Sequence, residues 1–349
     1  MEITRELFEQ QHRPRFGNAN PERMQLAFWD WMVRGEEKPL TEEEQVLSDL
    51  GWVMREGKLK SAYGPRRARD LFESPLDRKD GPIWTFDRMG ATRSELPDGR
   101  VVCIGGEHED FYDPDFCIYN DVVVFGRNDQ IEIYGYPKEI FSPTDFHAAT
   151  LIGDRIFVVG CLGYMDARRP GDTPVYVLDL VEYSISKMDT SGEMPGWISE
   201  HEANFDARGS ITIRGGQIIQ EHEGHQRFRS NFEDYSLNVT SGIWHRLTNR
   251  NWRQFNINQE DGKLFVRDKK PPIEVLVPQR FDQAVVPSEE WNRFRIIVEG
   301  IPVTLTVGVK CIHVVVEGHL SDALCIWLAE EIRANAQAAI QRRCVVEQV

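Results

Sequence analysis

The sequence predicts a mainly β protein built on a repeated four-stranded unit, and three observations predict it. Gly105, Gly160 and Gly215 follow one another at a constant spacing of 55 residues. Each ends an apolar, β-branched run: RVVCIGG (100–106), RIFVVGC (155–161) and SITIRGG (210–216). Each run leaves a tight-turn sequence (Pro97-Asp98-Gly99, Gly153-Asp154-Arg155, Ala207-Arg208-Gly209), as a buried strand after a turn does. After each comes a polar loop and a second β-rich run, DVVVFG (121–126), VYVLDL (175–180) or DYSLNV (234–239). A last short run, QIEIYGY, YSISKM or GIWHRL, completes the unit. About four strands per repeat of roughly 50 residues is the pattern of a β-propeller blade. DGKLFVRD (261–268) with IEVLV (273–277) suggests a degraded fourth unit, so about 4–5 blades are expected over residues 81–290.

The segment 146–188 resembles a kelch repeat. In that pattern a His opens the second strand, an apolar strand ends in Gly-Gly, and Tyr-x-x-Asp and Trp-x-x-Leu strands follow. His147, Gly160, Tyr176 with Asp179 and, in the third unit, Trp244 with Leu247 stand at the matching places. Cys161 replaces the second glycine, and the first unit has no closing Trp. The resemblance spans about residues 84–290 and implies a propeller, but no particular chemistry, since kelch propellers mostly bind proteins.

The flanks differ in kind. Residues 1–80 read as a helical N-terminal segment. One helix is expected over 21–33, with Asn20 as cap and Pro21 in its first turn. Another is expected from Thr41, whose capping box with Glu44 precedes Val46, Leu47 and Leu50. A basic cluster, Arg66, Arg67 and Arg69, stands out in an acidic chain. Residues 291–349 read as a small β-β-β-α element: FRIIVEG (294–300), PVTLTVG (302–308), KCIHVVVEG (310–318), then a helix from Ser321 to about Arg342.

Charge narrows the partners. A net charge of −15 over 349 residues repels nucleic acid and anionic membrane and suits a basic protein partner. The N-terminal MEITRELFEQQHRPRF has no apolar core of a leader peptide, and no run approaches the roughly 18 apolar residues of a membrane span. The six cysteines form no C-x-x-C pair, which suits a reducing, cytoplasmic location. Nucleophile-elbow, Walker and dinucleotide-binding motifs are missing, so the chain reads as a binding protein with no cofactor rather than an enzyme.

Nine histidines include three in Glu-His-Glu triplets, at 107–109, 200–202 and 221–223. His201 lies 14 residues before Gly215 and His147 lies 13 before Gly160, so both read as structural residues opening a strand. His108 and His222 instead fall in the loops after the glycine pairs, which in a propeller gather on one face. The first loop offers Glu107, His108, Glu109, Asp110, Phe111, Tyr112, Asp113 and Phe116: acids to steer a basic partner and aromatics to anchor it. Tyr164, Arg168 and Arg169 come from the second loop (163–173), and His222, Glu223 and His225 from the third (221–230). These residues are expected to bind a protein partner, as an adaptor or an inhibitor; immunity toward a toxin is one concrete form. The alternative is a metal-dependent enzyme or carbohydrate-binding propeller using His108, His222, His225 and nearby acids, although His222-Glu223-Gly224-His225 is shorter than the zincin spacing. A further candidate interface is the Phe28–Trp31 segment with the helix carrying Trp327.

Overall fold

The computed structural model describes residues 4–11, 16–30, 52–55, 58–61, 88–108, 116–126, 130–206, 208–222, 224–263, 265, 271–284, 286–287, 293–308 and 310–349. The chain is mainly β, with 42% strand and 13% helix, arranged in several antiparallel sheets. It divides into two compact units, Met1–Leu247 and Thr248–Val349.

The first unit carries three successive antiparallel sheets, one for each repeat read from the sequence. The first runs Thr92–Glu95, Val101–Ile104, Val122–Phe125, Ile131–Gly135 in spatial order, and Glu22–Arg23 pairs onto its far edge. The second is Ala148–Ile152, Arg155–Val159, Val175–Asp179, Ile185–Lys187. The third is Glu202–Phe205, Ser210–Arg214, Tyr235–Asn238, Ile243–Arg246, edged by Ser191–Gly192, which alone in this sheet pairs parallel. Side chains on a strand alternate between faces, so a run buried throughout must be covered on both sides. That holds for the second sheet. Ile156, Val158, Tyr176 and Leu178 pack with Val102, Ile104, Val122 and Val124 of the first sheet. Phe157, Val159 and Val175 pack with Ile211, Ile213, Tyr235 and Leu237 of the third. Each such side chain fully removed from water contributes about 1.5–3 kcal/mol.

The two ends of this stack differ. The outer face of the first sheet, with Val123, Phe125 and Ile133, is covered by Met24, Phe28 and Trp29. The outer face of the third carries Thr212, Arg214, Ser236 and Asn238, all partly or fully exposed. Among the described residues no sheet closes on itself.

Equivalent backbone positions repeat from sheet to sheet. Gly90, Phe146 and Glu200 all have positive φ, +67°, +48° and +57°. Phe146 N–H donates to Gly90 O and Glu200 N–H donates to Phe146 O, both at 2.8 Å. The spaced glycines Gly105, Gly160 and Gly215 also share positive φ, +58°, +67° and +63°. At the first two the chain leading into the next repeat presses close: a Cβ on Gly105 would stand well under 3.0 Å from Thr144 O, and one on Gly160 equally close to Ile198 O of the strand Trp197–Ser199. At Gly215 no described atom lies within 4 Å.

Several expectations for the flanks need correction. The helix expected over 21–33 does not start there: Glu22–Arg23 is a strand, and helical turns occupy only 27–30 of the described part. Asn20 is not a helix cap. Its side chain accepts from Ile185 N and donates to Ile185 O at 2.8 and 2.7 Å, tying this segment to the second sheet. The described N-terminal residues otherwise form a helix, Arg5–Gln11, and a hairpin, Trp52–Arg55 with Lys58–Ser61, so a helical N-terminal segment is not what they show. The helix expected from Thr41 and the cluster at Arg66–Arg69 lie outside the described residues.

The second unit is a six-stranded sheet in the order Val286–Pro287, Arg293–Val298, Ile301–Val307, Ile312–Val316, Arg253–Gln259, Cys344–Gln348. Residues 248–290, which the repeat reading placed with the central segment, fall in this unit, and Ile273–Leu276 is a short helix rather than a strand. The long helix, Asp322–Ile340, starts where its cap predicts: Ser321 Oγ accepts Leu324 N–H at 3.3 Å. It buries Cys325, Leu328, Ile332 and Ala336 against Phe255, Ile257, Phe294, Ile296, Leu305 and Val314.

Candidate functional site: the loop face of the first unit

Beyond their glycine pairs, the first and third repeats each run on into a second hairpin. Glu107–His108 pairs with Cys117–Ile118, and Gln217–His222 pairs with His225–Ser230. The third loop is therefore largely a β-hairpin, with His222 opposite His225 across it.

Contacts from the second loop join these hairpins. Ile118 N–H donates to the Tyr164 hydroxyl at 2.8 Å, and Phe116 meets the Tyr164 ring edge-on at 5.9 Å. On the other side Arg168 donates to Gln226 Oε1 at 3.2 Å and lies 5.7 Å from the centre of the Phe228 ring. Gln226 in turn donates to Met165 O at 3.1 Å. Arg168 also donates to its own loop, to Leu162 O at 3.0 Å and Gly163 O at 3.0 Å. The guanidinium thus satisfies backbone carbonyls and a neighbouring amide together, a use that suits its planar, multi-donor geometry. Burial lowers its pKa, with Asp145 and Cys161 opposing the shift.

Beneath the loops sits Asp145, fully buried. Its Oδ1 accepts Gly163 N–H at 2.6 Å and its backbone carbonyl accepts Leu162 N–H at 3.0 Å. Burial raises the Asp145 carboxyl above its ordinary range, while the Gly163 N–H, Glu107 and the Arg168 charge pull it back. Trp197 completes the floor by donating to Leu162 O at 3.0 Å and packing with Cys161 and Ile219. Burial pushes the Cys117 thiol up to about 12 and Cys161 further, so neither is a thiolate at neutral pH.

The structure therefore brings Phe116, Tyr164 and Arg168 together, and uses Tyr164 and Arg168 to clamp three loops into one surface. Arg169 and His225 are exposed on it, and Met165 is 69% exposed. Glu107 is half-buried at its edge. Glu109, Asp110, Phe111, Tyr112, Asp113 and Glu223 lie outside the described residues, as do the side chains of His108 and His222. Among the described residues no three His, Cys, Asp or Glu side chains stand close enough to hold a metal ion.

His147 and His201 occupy equivalent positions, each one residue after the positive-φ residue of its sheet, and both are buried. His147 Nε2 lies 2.7 Å from Thr92 Oγ1, whereas neither ring nitrogen of His201 has a hydrogen-bond partner among the described residues. Burial, with His201 adding for His147, lowers their pKa values to about 3 and about 4. The sequence pointed to these two through their offset from the glycines. Nothing in it pointed to the ion pair of Arg88 and Asp121, which is 5% and 3% exposed. Arg88 donates to both Asp121 oxygens and lies 3.6 Å over the Tyr119 ring. Burial works against its charge, but Asp121 more than compensates, leaving its pKa raised.

No family model and no curated protein matches the chain. No helix among the described residues is long and apolar enough to cross a membrane.

Proposed function

We propose that the first unit is a kelch-type propeller scaffold whose three sheets act as consecutive blades, and that it binds a basic protein partner, as an adaptor or inhibitor, through its loop face. The observation that carries the reading is the clamp. Loops from three successive repeats are joined through Tyr164, Arg168 and Gln226 into one continuous surface that leaves Met165, Arg169 and His225 exposed. Preformed surfaces bind with less entropic loss than loops that must order on contact. The net charge of −15 and the acids of the first loop favour a basic partner and a fast encounter with it. The blade reading draws its support from the repeated hydrogen bond between Gly90, Phe146 and Glu200 and from the first strands of the three sheets lying side by side.

The test is binding of the partner recovered from the native cell to the full chain carrying Met165→Lys and Asp166→Lys, two exposed positions of the second loop where added positive charge opposes a basic partner. Neither side chain belongs to the clamp. Loss of at least tenfold in affinity with an unchanged melting temperature supports the reading, since central interface residues each carry about 1–2 kcal/mol or more. A Val181→Asp control, 74% exposed on a turn at the opposite end of the second sheet, should bind as wild type.

A further inference from the structure

Asp145 and Glu107 meet beneath the loop face with more acceptors than donors. Asp145 is wholly buried, and its Oδ1 accepts Gly163 N–H at 2.6 Å. Its Oδ2 is buried too, and among the described residues no N–H or O–H group reaches it. The Glu107 side chain stands within hydrogen-bonding reach of the same carboxyl. Both backbones are held in place. Glu107 exchanges both backbone hydrogen bonds with Met89, at 2.8 and 3.0 Å. Gly106 N–H, one residue before Glu107, donates to Thr144 O, one residue before Asp145, at 2.8 Å. Leu162 N–H donates to Asp145 O at 3.0 Å. Two ionised carboxylates offer only acceptors, so a hydrogen bond between them exists only when one carries a proton. The other titratable groups facing Asp145 among the described residues are Cys161, Tyr164 and Arg168. Burial pushes the Cys161 thiol and the Tyr164 hydroxyl up, so both are neutral at neutral pH, and Arg168 supplies the countercharge.

We propose that Glu107 and Asp145 share one proton, and that this proton is a pH-sensitive latch fastening the first loop to the floor of the loop face. Two carboxyl groups this close in a buried place do not both ionise without cost, and their titrations are driven apart. Burial of Asp145 favours keeping the proton, while the Gly163 N–H and the Arg168 charge favour giving it up; the titration belongs to the pair. A metal ion fits the place less well than a proton. Arg168 repels it, and Leu162 O and Gly163 O already accept from that guanidinium. Among the described residues no third His, Cys, Asp or Glu stands close enough to complete a metal site. When the proton leaves, two negative charges face Arg168 at the floor. Glu107, half-buried at the edge, turns its side chain to water, and Asp145, wholly buried, stays. The hairpin of Glu107–His108 with Cys117–Ile118 then loses this tie to the second loop. The fold holds a proton that both carboxyls have lost in the unfolded chain above about pH 4. The latch therefore stabilises fully below that pH, and its contribution is lost as pH rises through the raised value of the pair. Any effect on partner binding rests on the loop-face reading above; the shared proton does not.

The experiment titrates the side-chain carboxyl carbons of the full chain by carbon NMR, with no partner present, and follows urea unfolding of wild type and Glu107→Gln across the same pH range. In the wild type the Glu107 and Asp145 carboxyls should titrate together, with a midpoint above the ordinary carboxyl range of about 4. This reading depends on no variant. In Glu107→Gln the amide donates to Asp145 at every pH, so that midpoint should vanish. The folding constant of the wild type relative to Glu107→Gln should fall by up to about tenfold per pH unit as pH rises to the midpoint, then level off. Asp145→Asn keeps an acceptor for Gly163 N–H and donates to Glu107, so it should remove the same pH dependence. A wild-type chain in which neither carboxyl titrates above the ordinary range, or a ratio of folding constants that does not change with pH, overturns the proposal. Added calcium should leave the wild-type melting temperature unchanged; a rise that Glu107→Gln abolishes overturns the proton in favour of a cation. No arm uses the partner, so failure here leaves the binding reading standing.

Discussion

Alanine at the three equivalent glycines should cost unequal amounts, although the sequence makes the positions look alike. All three residues have positive φ, where a Cβ costs about 1–2 kcal/mol. At Gly215 that is the whole cost, because no described atom lies within 4 Å of the added methyl. At Gly160 the methyl meets Ile198 O and, at 2.8 Å, His201 Cε1. Ile198 O accepts Cys161 N–H at 2.9 Å, so its retreat breaks that hydrogen bond and leaves buried backbone groups unpaired. That adds about 1–3 kcal/mol, for a total near 2–5 kcal/mol. Gly105 faces Thr144 O, which accepts Gly106 N–H at 2.8 Å, and the same arithmetic applies. Urea unfolding of the three variants in the full chain, followed by tryptophan fluorescence, measures the difference. Gly105→Ala and Gly160→Ala should each lose about 1–3 kcal/mol more than Gly215→Ala. Equal losses at all three would refute the idea that these glycines exist to let one repeat approach the next.

Three further outcomes follow from the same structure. Asp121→Ala strands the buried Arg88 guanidinium and should cost about 3–5 kcal/mol in urea; a loss below about 1 kcal/mol would show that the pair is dispensable. His147 and His201 stay neutral in the fold but charge in the unfolded chain below pH about 6.5, so their contribution is complete above that pH and is lost as pH falls toward about 4 and about 3. Replacing His201 by Leu should therefore reduce the slope of stability between pH 6 and 5 by about 1 kcal/mol per pH unit, and an unchanged slope contradicts this. Glu200 is exposed with φ of +57°, so Glu200→Gly should stabilise the chain by about 0.5–1 kcal/mol in thermal melts, while a loss would mean the backbone there is unstrained.

The strands of the three repeats were legible because their signals are local. RIFVV, VYVLD and their counterparts are β-branched runs bounded by turns, and the glycine spacing sets their phase. His147 and His201 were legible for the same reason. Where pairing is distant, the sequence is silent. Glu22–Arg23 is too short to carry a period, and Asn20-Pro21 imitates a helix start although Asn20 bonds to Ile185, 165 residues away. IEVLV has strand composition, yet Ile273–Leu276 coils into a helix after Pro271-Pro272. The strand Arg253–Gln259 was hidden because its partners, Ile312–Val316 and Cys344–Gln348, lie far along the chain. The contact between Asn256 and His313 depends on that pairing and was hidden with it. The clamping roles of Tyr164 and Arg168 were not legible, since their partners Ile118 and Gln226 belong to other repeats.

The central claim is that three repeats present one preformed binding surface. The most direct measurement is the dissociation constant of the identified partner for the wild-type chain and for the Met165→Lys, Asp166→Lys variant, by calorimetry at matched ionic strength. The account predicts at least tenfold weaker binding for the variant with its melting temperature unchanged. An affinity equal to that of the wild type, with Val181→Asp binding more weakly instead, would contradict it.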